Sequence, residues 1–135
     1  MRNPLLIPLV RAMVLAVAAI LAAPAGHAFE IKTFDAETFK AAQAAGKPVL
    51  IDVSAPWCPV CKVQHKIFEA LKAKPELFNL TILQVDFDTQ KDALKGFNVQ
   101  KQATLIAFKG AVETGRTVGD TDANSIEALM ISTLR

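Results

Sequence analysis

The sequence predicts an α/β domain in which a central mixed sheet is flanked by helices on both faces. Three observations carry this. Nearly continuous apolar runs at residues 49–53 and 81–85 suit strands buried on both faces of a parallel sheet. Helical patterns lie before, between and after these runs, so the chain alternates strand and helix as parallel crossovers require. Later, residues 104–108 and 114–118 read as two strands joined across residues 109–113, short enough for an antiparallel hairpin with a loop of a few residues.

The elements follow in order. Residues 31–34 form a short first strand. Asp35 can accept from the free amides of a helix start, and the helix it caps carries Phe39 inward and fades through an alanine-rich stretch to Gly46, with Pro48 as a stop. The strand at 49–53 leads into the turn Ala55-Pro56-Trp57-Cys58 and a helix from about 59 to 72. After the strand at 81–85, an amphipathic helix over 90–94 ends at Gly96. The hairpin follows, and a last helix over 124–134 places Ile126, Leu129 and Met130 on one face. Residues 29–135 contain no repeats, linkers or low-complexity tracts, so they read as a single domain.

Residues 1–28 read as a signal peptide. Arg2 and Arg11 precede an uncharged stretch, residues 12–23, of the length of a signal-peptide apolar region, and Pro24 and Gly26 break it. Gly26-His27-Ala28 sets small residues three and one before a cut that leaves Phe29 as the mature N-terminus. An uncleaved anchor is the competing reading, since residues 12–29 carry few polar groups, though about 20 are needed to span a bilayer. Either outcome puts the folded part outside the cytoplasm, and the short alanine-rich leader points to a bacterial periplasm. Removing Arg2 and Arg11 from the 15 Lys+Arg balances the remainder against 13 Asp+Glu. That excludes a polybasic footprint for nucleic acid or an anionic membrane surface. Membrane contact is expected only if the leader stays attached.

Two cysteines in an exported chain ordinarily suggest a structural disulfide. Here the spacing argues for chemistry instead. A bridge between Cys58 and Cys61 closes so short a loop that it contributes roughly 2 kcal/mol in the chain-entropy treatment, against about 3 for fifteen residues. Placed at i and i+3 near a helix start, the two side chains lie on one face and can open and close a disulfide without refolding the domain. Cys58 falls at the helix N-cap, where unpaired amides and the positive end of the helix dipole favour a thiolate. It is the expected attacking sulfur. Cys61, one turn inside and shielded, is the expected resolving thiol that releases a mixed disulfide. Pro59 suits the first helical position, while the amides of Val60 and Cys61 can reach the Cys58 sulfur.

Asp52 sits within the apolar run 49–53, where a carboxylate faces desolvation. Beneath the dithiol it could accept the Cys61 proton as a general base; alternatively it is a buried carboxyl hydrogen-bonded for structure. Trp57 is either a core aromatic or a lid beside the sulfur, and its place on the turn favours partial exposure. Cys58, Cys61 and His65 could share a helical face, so a copper(I) or zinc site formed by the three is the alternative to dithiol chemistry. The competing view of His65 is a solvated helix histidine. Haem attachment is disfavoured because Lys62, not histidine, follows Cys61. Nothing in the sequence points to an organic cofactor.

Taken together, Gly46-Lys47-Pro48-Val49, Asp52 and Ala55-Pro56-Trp57-Cys58-Pro59-Val60-Cys61-Lys62 resemble the active-site segment of the thioredoxin family. The resemblance extends through residues 80–88, 97–110 and Val118-Gly119. The Gly-Lys-Pro opening is similar to the thioredoxin-like periplasmic domain of the thiol:disulfide interchange protein DsbD. What this implies is a thioredoxin fold over residues 29–135, dithiol–disulfide exchange with protein substrates, and a second protein that recycles the dithiol. It implies Cys58 as nucleophile, Cys61 as resolving cysteine and Asp52 as the buried carboxyl. Trp57, Pro59, Val60 and the loop Gln102-Ala103-Thr104 are implied as the substrate-facing surface. Three departures stand out. Family members carry a proline after a cis peptide where this chain has Ala103; a cis bond there would cost about 2.5 to 4 kcal/mol, so a trans or rearranged loop is expected. The Pro-Val dipeptide between the cysteines matches neither the reducing Gly-Pro pattern nor the oxidising Pro-His one. Gln84 stands where thioredoxins have a lysine, which takes a possible charge partner from Asp52.

Overall fold

The computed structural model describes residues 28–135. The first 27 residues of the expected signal peptide therefore lie outside the described residues. Among those described, no helix is long and apolar enough to cross a membrane. The chain forms β1 (Glu30–Thr33), α1 (Ala36–Ala44), β2 (Pro48–Ser54), α2 (Pro59–Leu71), β3 (Thr81–Asp86), α3 (Lys91–Gly96), β4 (Thr104–Lys109), β5 (Val112–Val118) and α4 (Ala123–Ser132). A 3-10 turn at Pro75–Leu77, absent from the sequence reading, is set by Pro75 at its first position and carries Leu77 into the core.

The five strands form one sheet in the order β1-β3-β2-β4-β5. β1, β3 and β2 run parallel, while β4 and β5 are antiparallel to their neighbours, so the sheet is mixed as expected. β2 is central. Its side chains alternate between two cores. Leu50 packs with Phe68 and Leu71 of α2 and Ile126 and Met130 of α4. Val49, Ile51 and Val53 face the other way, toward Phe39 of α1 and Leu94 of α3. Two helices thus cover each face, and the period of two puts Asp52 on the same side as Leu50, beneath α2.

Local signals account for most element ends. Asp35 caps α1 by accepting from the Thr38 amide at 2.8 Å. The buried residues of α2 are Cys61, Gln64, Phe68 and Leu71, a three-four-three spacing that keeps one face against the sheet. Pro48 does more than stop α1, since it is the first residue of β2. The hairpin is tighter than the sequence indicated. β4 ends at Lys109 and β5 begins at Val112, leaving Gly110-Ala111 as the turn, with a bulge between Ala107 and Phe108 absorbing the register. Gly110 has φ +57° and donates to Lys47 O at 3.0 Å; a Cβ there would sit 3.1 Å from Gly46 Cα. Close approach to the end of α1 therefore demands glycine at the turn.

Candidate active site

The start of α2 gathers the candidate residues. Cys58 is the N-cap, with extended backbone (φ −86°, ψ 109°), and Pro59 occupies the first turn. The two cysteines are joined as a disulfide with their Cα atoms 5.3 Å apart. Of the two amides that could reach the Cys58 sulfur, that of Cys61 does so, at 3.1 Å. This is the capping contact the sequence indicated, made by sulfur in place of the usual oxygen. Cys58 and Cys61 are each only 1% exposed. In the disulfide state Cys61 is shielded as expected, and Cys58 is shielded with it. Ala55 and Ala103 pack directly on the pair, with Val60 and Phe87 at the edge.

Around this small apolar cluster lies an exposed rim. Trp57 is 54% exposed, neither core nor loose: its indole N–H donates to Asp88 at 2.9 Å, and its ring meets Phe87 edge-on with centroids 6.3 Å apart. Pro59 is exposed and Val60 half-buried beside it. From the opposite side comes the loop before β4, with Gln102 half-buried and Ala103 and Thr104 buried. Thr104 Oγ1 donates to Lys101 O at 2.7 Å. Among the described residues there is no cis peptide, and Ala103 adopts φ +59°. Its N–H donates to Val53 O at 2.8 Å, and its carbonyl accepts from Gly119 N at 2.8 Å. The loop is thus trans and rearranged, tied on both sides to neighbouring backbone.

Gln64 was not singled out by the sequence. Fully buried in α2, it donates through Nε2 to Ala103 O at 3.3 Å and Asp120 O at 2.9 Å, binding two loops to the helix that carries the cysteines. No sequence pattern marks such a glutamine beyond its place on the inner face of α2.

Asp52 is fully buried. Its Oδ2 contacts His65 Nε2 at 2.7 Å and accepts from Gln84 Nε2 at 3.0 Å, while Oδ1 has no partner. His65 therefore does not stand free on the helix, nor does its Nε2 turn to the cysteines. It supplies the charge partner that Gln84 cannot. Among the described residues no cluster of three or more His, Cys, Asp or Glu side chains could hold a metal ion. The metal alternative thus loses its third ligand to the carboxylate. The hydrogen bond to Asp52, opposed by burial and aided by the carboxylate's charge, raises the His65 pKa. His65 also lines, with Cys61 and Gln84, a cleft of about 440 Å³ whose other walls include Lys62 and Asp86.

The pair has a consequence for stability. A histidine whose pKa is higher folded than unfolded contributes in full below its unfolded value, about 6.5, and loses that contribution as pH rises through the folded value. The thermal midpoint of the oxidised domain should therefore fall as pH is raised from about 6.5, and His65→Gln should flatten this slope. Melts across that window would detect it; identical slopes in both proteins would show that the contact is not an ion pair in solution.

The sequence model of the thioredoxin family matches residues 30–132. The thioredoxin of Chlamydia trachomatis serovar D is 38% identical over 100 residues, covering 74% of this chain and 95% of that protein. The bifunctional thioredoxin reductase/thioredoxin of Mycobacterium leprae is 34% identical over 89 residues, which cover 66% of this chain and 19% of that longer protein. Among solved structures, Trxlp from Edwardsiella tarda EIB202 superposes with a TM-score of 0.71 at 40% identity, covering 74% of this chain and 98% of that one.

Proposed function

This chain belongs to the thioredoxin family and is a thiol:disulfide oxidoreductase, and from that premise we propose that it works outside the cytoplasm as a reductant of protein disulfides. The observation that carries the exchange chemistry is the Cys58 sulfur at the N-cap of α2, accepting from the Cys61 amide, while the reductive direction rests on the family resemblance. Such a position favours the thiolate.

Cys58 attacks a client disulfide, forming one S–S bond to the client and releasing one client thiolate. Cys61 then loses its proton and attacks the Cys58 sulfur. The second client thiolate leaves, and the Cys58–Cys61 disulfide remains. Two electrons have passed to the client, and a partner protein returns them to the dithiol. Asp52, beneath α2, is the buried carboxylate that promotes loss of the Cys61 proton, acting through its contact with His65. Trp57, Pro59 and Val60 form one wall of the client groove; Gln102, Ala103 and Thr104 form the other.

Export rests on residues 1–28, whose charge, apolar run and small residues before Phe29 have the form of a cleavable leader. The setting is the periplasm. The Gly46-Lys47-Pro48 opening supports a role like that of the thioredoxin-like periplasmic domain of DsbD, receiving electrons from one protein and handing them to another. The reduction potential tests the direction. A value near about −270 mV fits a reductant, whereas one near about −120 mV would make the chain an oxidant.

A further inference from the structure

Asp52 has no surface open to bulk solvent. It is fully buried with Oδ1 unpartnered, and Oδ2 is shared by His65 and Gln84. A carboxylate so enclosed exchanges protons with bulk solvent through its neighbours. The Gln84 amide carries no ionisable proton. His65 does, and its side chain is 38% exposed on the cleft that Cys61 also lines. At about 30 Å³ per water, that cleft of about 440 Å³, which both residues line, has room for several molecules.

We propose that His65 is the proton relay for the resolving step, taking the Cys61 proton through the cleft while Asp52 holds and orients its ring. The proposal rests on the dithiol exchange described above and assigns the proton path within it. With Nε2–H directed at Asp52 Oδ2, the neutral ring presents Nδ1 as its acceptor. The proton passes from the Cys61 S–H through cleft water to Nδ1. The Cys61 thiolate attacks Cys58 Sγ, one S–S bond forms, the mixed disulfide breaks, and the leaving thiolate departs with the electron pair. The imidazolium, stabilised by Asp52, gives its proton to solvent or to the departing thiolate. The charged and titratable groups sharing the cleft are Lys62 and Cys61 from α2 and Asp86 from β3. Asp52 reaches the ring from β2, and β1 contributes only Thr33. Because the ring must be neutral to act, resolution should accelerate as pH rises through the raised His65 pKa.

Oxidised glutathione serves as the probe. The reduced domain is mixed with it in stopped flow, and Trp57 fluorescence and released glutathione are followed. Cys61→Ser halts the reaction at the mixed disulfide and isolates the first step. His65→Gln, made alone and with Cys61→Ser, should form the mixed disulfide at the unsubstituted rate. It should resolve it about a hundredfold more slowly near neutral pH and lose the pH inflection. Asp52→Asn/His65→Gln removes the buried charge together with its partner. It should resolve no more slowly than His65→Gln, and it provides the same readout if the single variant fails to fold. Resolution by His65→Gln at the unsubstituted rate and pH profile would overturn the proposal. Equal slowing of both steps would reduce His65 to a structural part, and further slowing in the double variant would make Asp52 act without it. Failure of the unsubstituted protein to form any mixed disulfide would instead overturn the exchange reading itself, and the relay with it.

Discussion

Ala103→Pro is expected to lower the thermal midpoint of the oxidised domain by at least about 10 °C, even though it restores the residue that family members carry at this place. Proline requires φ near −65° and has no N–H. Ala103 holds φ +59° and donates to Val53 O at 2.8 Å. The substitution must rebuild the loop and leave a carbonyl of the central strand without its donor, which alone costs about 1 to 3 kcal/mol. With the backbone mismatch added, a total near 3 kcal/mol corresponds to about 12 °C or more for a domain of this size. The Gln64 and Gly119 contacts to the Ala103 carbonyl would be lost as the peptide turns. Calorimetry of the oxidised protein measures the effect. A variant that melts with its parent would mean that this loop already samples the proline geometry.

The second large effect concerns Cys58. Cys58→Ser should reduce insulin disulfide reduction to the uncatalysed background, because a serine hydroxyl stays protonated at the helix start and cannot form the mixed disulfide. Cys61→Ser should behave differently. It keeps the capped nucleophile and should accumulate a covalent adduct with the client, visible on a non-reducing gel. If Cys58→Ser retains activity, or if Cys61→Ser carries no adduct while Cys58→Ser does, the roles assigned to the two sulfurs are reversed or wrong.

Much of this architecture could be read from the sequence because local physics dominated it. The runs at residues 49–53 and 81–85, the Asp35 cap and the Cys58-Pro59 helix start each depend on neighbours a few residues away. Where a feature depends on which side chains meet across packed elements, the sequence was silent. The Asp52–His65 contact is of this kind. The sequence set Asp52 beneath the dithiol, but only the packed structure turns the His65 ring onto its carboxylate. Ala103 was obscure for another reason: a glycine would have announced positive φ, whereas alanine carries no such sign. Gln64 gave no signal either, since its hydrogen-bond acceptors come from loops distant in the chain.

The position of β1 has a consequence for how the chain acquires its structure. Among the described residues this edge strand bonds only to β3, which arrives after α1, β2 and α2 have all been made. Central β2 likewise waits for β3 and then β4. Contacts so distant in sequence make folding slow for the chain's length, because loop closure must precede their reward. A polypeptide emerging N-terminus first therefore has no finished sheet until Val112–Val118 is out, and any threading step before that point meets an incomplete fold.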